Sequence, residues 1–258
     1  FLMDNNVRSQ TYTLMMLCGA SLGRDKAIKD YSMKSKYRLL PKQFGEYKGK
    51  KVFEIERICV GTNTMSYDDY LVARNYNFVL QLLNHILFKP VFKLTKKIGI
   101  SWYDFSRLVT DTLVDKDFKG DFKNLYLAFC KESHEECFDS QQEAIDHYKI
   151  PVNYNAAMKG EIGENLVAKY TSKAVFIYED IINSLFFILR KKAKLENNEQ
   201  LTEVLNSSET WLQNLYMIDE ILDRKKEKSN DEEIDIKFDF PGWLAKSDLP
   251  FENFHKNT

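Results

Sequence analysis

The sequence predicts an α+β protein that is mainly helical, with a βα unit and a β-hairpin in residues 1–62 and a multi-helix region after them. Three observations predict it. Residues 10–18 (QTYTLMMLC) are a β-rich apolar run that stops at Gly19 and leads into a polar helical stretch from Ser21 to about Ser35, the signature of a βα unit. Two segments rich in Val, Ile, Phe and Tyr come next, separated by turn-forming residues. After Thr62-Asn63-Thr64 the apolar residues recur at helical spacing, and glycine is scarce, with 10 in 258.

The hairpin is expected from Tyr37–Pro41 and Lys51–Val60, with the turn in Phe44–Gly49. Val52, Glu54 and Glu56 alternate with Phe53, Ile55, Arg57 and Ile58, so one face should be wet. Three helices announce their own starts. Ser66 with Asp69, Ser101 with Asp104 and Ser140 with Glu143 each pair a capping hydroxyl with a carboxylate three residues on. The first runs through Tyr70, Leu71, Phe78, Val79, Leu82 and Ile86 until Pro90, and a short helix then ends at Gly99. Further helices are expected at 118–132, 140–148, 163–195, 199–206 and 208–228. Arg224–Glu233 (RKKEKSNDEE) reads as a linker, and Ile234–Phe240 as a closing strand before Pro241-Gly242, with Trp243 and Leu244 pinning the C-terminus. The expected domains are therefore 1–62, 63–228 and 229–258.

Charge excludes some partners. Lys and Arg number 37 against 38 Asp and Glu, which leaves no footprint for nucleic acid or an anionic membrane surface. The basic clusters Lys89–Lys97 and Arg190–Lys194 interleave with apolar residues as solvated helix faces do. The most apolar stretch, Ala174 to Leu189, carries Glu179, Asp180 and Asn183, so a buried amphipathic helix is expected rather than a membrane span. The chain opens on Phe1 with no leader, and is expected to be a fragment. Cys18, Cys59, Cys130 and Cys137 form no CxxC pair, which suits a reducing, cytoplasmic setting, and no metal site is expected even though His134 lies between the last two.

Complete active-site motifs are missing: there is no GxxxxGK[ST], GxGxxG, HExxH or GxSxG. His85, His134, His147 and His255 fall in different elements. The adjacent carboxylates Asp68/Asp69 and Glu135/Glu136 would point about 100° apart on a helix, which suits capping and solvation. Two clusters stand out. Leu17-Cys18-Gly19-Ala20-Ser21-Leu22 ends a strand, where α/β sheets and barrels bind ligands. Tyr37-Arg38-Leu39-Leu40-Pro41, with Phe44-Gly45-Glu46-Tyr47 and Thr62-Asn63-Thr64, gathers arginine, aromatic and small polar residues. Its plainer reading is a structural hairpin whose Arg38 pairs with Glu46, Glu54 or Glu56.

The strings TYTLMMLCGASLG and KSKYRLLPKQFGEYKGKKVFEIERICVGTNTMSYDDYLVAR resemble the end of the barrel and the following segment of radical S-adenosylmethionine enzymes of the cobalamin-binding type. The resemblance covers about residues 8–115. It implies a residual βα unit of a truncated radical-SAM barrel, a hairpin, and a helical domain that caps the barrel or docks substrate. Leu17, Cys18, Gly19 and Ala20 stand where the family's turn (roughly LxPGTxL) helps hold the adenosyl group, with Cys18 for the common Pro and Ala20 for the common Thr. No CxxxCxxC occurs, so the [4Fe–4S] cluster, S-adenosylmethionine and cobalamin would belong to upstream radical-SAM and cobalamin-binding domains of the same parent chain, and this portion would not be catalytic alone. Methyl transfer, ring rearrangement and C–C bond formation all stay open for the parent. Near the β-to-helix junction, Tyr12, Arg38, Asn63, Tyr67, Asp68 and Arg74 are the substrate candidates. The alternatives are a non-catalytic helical protein-interaction module that folds from residues 62–228, and a hydrolase or transferase with an unrecognised site.

Overall fold

The computed structural model describes residues 15–16, 25–193, 199–215 and 238–245. Its elements are α1 (Asp25–Asp30), β1 (Lys34–Tyr47), β2 (Lys50–Gly61), α2 (Tyr67–Leu83), a 3₁₀ turn (Ile86–Phe88), α3 (Lys89–Lys97) and α4 (Trp102–Val114). There follow α5 (Asp121–Glu135), α6 (Gln141–Lys149), α7 (Pro151–Met158), α8 (Leu166–Val175), α9 (Tyr178–Ala193), α10 (Glu199–Leu215) and α11 (Phe240–Ala245). The protein is thus mainly helical, with a two-stranded antiparallel sheet. Among the described residues no helix is long and apolar enough to cross a membrane. The chain divides into two compact units: Arg8–Leu82 with Leu125–Thr171, here the hairpin unit, and Phe1–Val7, Leu83–Asn124 and Ser172–Thr258, here the helical unit.

In the hairpin unit the strands outrun their expected lengths, because the turn needs only Lys48 and Gly49. Both have left-handed backbone, at φ 50° and 73°, the geometry whose twist matches that of the flanking strands. Between the pairs Leu39↔Ile55 and Phe44↔Phe53, four residues of β1 stand opposite Glu54 alone. This bulge absorbs Pro41, which has no N–H to give a ladder. The apolar face carries Phe44, Phe53 and Ile55 onto Leu39, Phe138, Ala144, Tyr148, Ala157 and Ile162. Val52 and Glu54 face water as expected, but Glu56 breaks the alternation and is buried. At Gly163, φ is 72° and a Cβ would meet Leu39 Cδ2 at 2.7 Å, so glycine is required there. Phe78 of α2 stacks on Phe129 of α5 at 4.1 Å, and Tyr170 of α8 meets both edge-on.

The expected strand at 10–18 enters the described residues only at Met15 and Met16. Met15 bridges Ile58 antiparallel, and Met16 N–H donates to the Arg57 carbonyl at 2.8 Å. The expected helix to Ser35 is cut short: α1 ends at Asp30, Ser32 turns left-handed at φ 48°, and Lys34 already pairs with Gly61. Strand pairing overrides helix propensity there. The short α7 was not foreseen. Pro at its first turn starts it, but its apolar residues lack a helical stripe.

The helical unit is built on α9, which buries Ile181, Ile182, Leu185, Phe186, Ile188 and Leu189. Trp102 of α4 packs edge-on to Phe92 at 5.1 Å and stacks with Phe105 at 5.6 Å, while Trp211 stacks on Phe240 at 4.7 Å. Asp180 accepts from the Phe122 N–H at 2.7 Å and so caps α5. The single helix expected over 163–195 is two, α8 and α9, parted at Phe176-Ile177, with Phe176 exposed. The two helices expected at 199–206 and 208–228 are one through Leu215. Beyond it, the proposed linker lies outside the described residues. Phe240 starts a helix rather than ending a strand, with Asp239 accepting from the Gly242 N–H at 3.0 Å. Trp243 is buried and its carbonyl accepts from Lys93 Nζ at 2.7 Å. The side chain of Leu244 lies outside the described set.

Candidate functional site

The densest polar cluster sits in the hairpin unit. Arg38, on β1, stands directly across from Glu56 on β2. Its Nε donates to Glu56 Oε1, and its Nη1 donates to Glu136 Oε1 at 3.0 Å. Arg74, two turns into α2, reaches the same Glu136 oxygen through Nη2 at 2.5 Å. Two guanidiniums and two carboxylates thus close a neutral set whose side chains are 18%, 11%, 6% and 9% exposed for Arg38, Arg74, Glu56 and Glu136. Burial of this order makes the pairing obligatory, because a lone charge there would be desolvated without compensation.

Electrostatics follow from that geometry. Burial alone would depress Arg38, but Glu136 and Glu56 outweigh it and hold the guanidinium above its ordinary value. Arg74 is raised in the same way against burial, chiefly by Glu136. Tyr67, first residue of α2, stacks on Tyr70 at 6.1 Å, and Arg74 Nη1 donates to the Tyr70 hydroxyl at 3.4 Å. Burial, with Cys137 beside it, pushes the Tyr67 hydroxyl upward. Burial and then Glu136 push the Cys137 thiol up as well. Neither guanidinium releases a proton near neutrality, and the phenol and thiol both hold theirs. The ion pairs fix Arg38, Arg74, Glu56 and Glu136 against one another.

Of the substrate candidates, the structure brings Arg38, Tyr67 and Arg74 together. Asn63 and Asp68 are exposed and stay outside the set. Tyr12, Leu17, Cys18, Gly19 and Ala20 lie outside the described residues. Of the carboxylates suggested for Arg38, Glu56 is the one that pairs with it. The assignment of Glu135 and Glu136 to solvation holds for one only. Glu135 is exposed and pairs loosely with Lys131 at 3.8 Å, whereas Glu136, one residue on, is buried between two arginines. Adjacency in sequence hid this, since the difference in direction that suggested solvation is what sends Glu136 inward. A second, half-buried group was also missed: Lys169 Nζ reaches Glu132 at 2.6 and 2.7 Å and the Glu161 carbonyl at 2.6 Å, and the Tyr170 hydroxyl donates to Glu132 at 2.8 Å. Its partners lie 37 and 38 residues apart, beyond any local motif.

Among the described residues no three His, Cys, Asp or Glu side chains gather as a metal ion would require. Cys59 is buried with its thiol toward the Gly61 carbonyl at 3.4 Å, and the Cys137 thiol turns to the Ser133 carbonyl at 3.8 Å. No protein-family model matches the chain, and no curated protein matches it.

Proposed function

We propose that this chain is the C-terminal portion of a radical S-adenosylmethionine enzyme of the cobalamin-binding type, in which the helical part caps a barrel or docks substrate. The observation that carries the reading is the string RLLP, FGEY and TNTMSYDDYL. Its members run from Arg38 to Leu71, with Arg74 just beyond, yet Arg38, Tyr67 and Arg74 meet in one cluster. A segment with that much buried charge is organised as a unit, which suits the role of a junction between a catalytic body and a helical domain. In this reading Met15 and Met16, which pair with β2, belong to the last part of a barrel strand.

The residues present do not fit an iron–sulfur cluster. Cys59, Cys130 and Cys137 are free thiols, no metal-holding group of three forms among the described residues, and no CxxxCxxC exists. The cluster, S-adenosylmethionine and cobalamin would therefore be held by upstream domains, and would supply the radical chemistry when bound. This chain's own contribution is binding and orientation, in the cytoplasm, with Arg38 and Arg74 fixing the helix that presents Tyr67, Asp68 and the neighbouring Asn63.

Recovery of the coding sequence upstream of Phe1 tests the proposal. An in-frame CxxxCxxC preceded by a cobalamin-binding domain is expected, and a frame without CxxxCxxC ends it. In the complete protein, single alanine variants of Tyr12, Arg38, Asn63, Tyr67, Asp68 and Arg74 test the substrate assignment. Unchanged product formation in all six removes it.

A further inference from the structure

The outer edge of β2 is open toward its turn end. The Met16 N–H donates to the Arg57 carbonyl, so Arg57 turns its backbone groups away from β1. Alternation along the strand turns those of Ile55, Phe53 and Lys51 the same way. The other end of the hairpin gives the same phase, since Tyr47 and Lys50 flank the two-residue turn as its closing, hydrogen-bonded pair. Among the described residues Met15 and Met16 cover this edge only at Ile58 and Arg57, and Lys51, Phe53 and Ile55 meet no backbone partner on that side. Such a row of N–H and carbonyl groups is a template for another strand.

The side chains along the edge select the strand that fits. Lys50, Val52 and Glu54 share one face of β2 and all are exposed, Val52 at 51%. Laid antiparallel on a copy of itself about a two-fold axis at Val52, the stretch brings Val52 opposite the partner's Val52 and each Lys50 opposite the partner's Glu54. Lys51 and Phe53 then exchange the backbone hydrogen bonds. Val52 and the Lys50–Glu54 pairs fall at the non-hydrogen-bonded positions, where side chains approach most closely. Neighbouring registers lose this match. Centred on Lys51, two like charges meet; centred on Phe53, Glu54 falls opposite an apolar Val52.

We propose that the chain pairs with a second copy of itself through residues 50–55 of β2, joining two two-stranded sheets into one of four. The paired stretch is short, and the dimer is accordingly weak. A strand from a different protein would gain the same backbone hydrogen bonds. The second copy is favoured because lysine and glutamate stand at equal distances on either side of Val52, a spacing complementary to itself.

Sedimentation equilibrium of the full chain at concentrations up to about 1 mM tests this, with a monomer–dimer equilibrium expected. Lys50→Glu and Glu54→Lys each set like charges opposite one another across the axis, and each should weaken the dimer by about tenfold or more. Both sites are exposed, so neither change should alter the circular dichroism. Mixed one to one, the two variants should associate again, because each supplies the charge that the other lacks. Val52→Cys should give a disulfide-linked dimer in air that wild type does not give, since residues at such a position lie about 4.5 Å apart between Cα atoms. A chain that stays monomeric throughout overturns the proposal. So does a dimer that both charge variants leave as tight as wild type, or a mixture that associates no better than either variant alone.

Discussion

The two units hold themselves together by different means. In the helical unit the centre of α9 is a continuous apolar surface, and its main ion pair, Arg190 to Glu209, sits at the edge with Asn206 as a further acceptor. In the hairpin unit, charge goes inside: Arg38, Arg74, Glu56 and Glu136 form one largely buried set, and Lys169 with Glu132 and Tyr170 forms a half-buried group. Apolar packing tolerates loss in proportion to the volume removed. A buried charge set does not degrade gradually, because removal of one member strands the others. The comparison teaches that the hairpin unit depends on one pairing of its charged side chains, and the helical unit on the volume its apolar side chains fill.

The comparison breaks most readily at Glu136. Glu136→Ala takes the carboxylate from Arg74 and one of two from Arg38, and should cost about 3–5 kcal/mol; urea unfolding measures it, and a loss below that of an ordinary surface variant would show the set to be dispensable. Leu185→Ala, at the centre of α9, should cost about 2–5 kcal/mol, and the loss should not change between low and high salt. If its cost varies with salt as steeply as that of Glu136→Ala, the distinction between the units fails. Asp180→Ala removes the cap on the Phe122 N–H and should cost about 1 kcal/mol, read as a shift in Tm; no shift would show that water replaces the carboxylate without loss.

The smallest effect is on pH dependence. Burial holds His147 below its ordinary value, against the opposing pull of Glu143. The folded chain therefore binds this proton less readily than the unfolded one, so stability present near neutrality is lost as the pH falls through the unfolded value of about 6.5. His147→Gln should retain more of its pH 7 stability than wild type does at about pH 5, measured by urea midpoints. Equal losses would remove His147 as a contributor.

Local chemistry was legible in the sequence; distant pairing was not. All three Ser-to-carboxylate signals start helices, at Ser66, Ser101 and Ser140, with the hydroxyl accepting from the third N–H at 3.1, 3.0 and 3.1 Å. Glycine after Lys48 marked the hairpin, and Arg38 could be given a short list of partners because strands bring near neighbours opposite one another. Glu136 could not be foreseen, since it lies 98 residues from Arg38 and nothing local distinguishes it from Glu135. The break between α8 and α9 has neither Gly nor Pro to announce it. Apolar residues continue through the turn (Val175, Phe176, Ile177, Tyr178), so the periodic pattern conceals it.

The discontinuity of the hairpin unit bears on how the protein is made. Arg38 leaves the ribosome 98 residues ahead of Glu136, and Arg74 about 60 residues ahead of it, delays of several seconds or more at roughly 5–20 residues per second. During that interval the nascent chain carries two arginines with one of their two acids still untranslated, while α3 and α4 emerge in between. Those side chains stay in water until Glu136 follows α5 out, so the cluster that orders the hairpin unit closes only after residue 136 has been made.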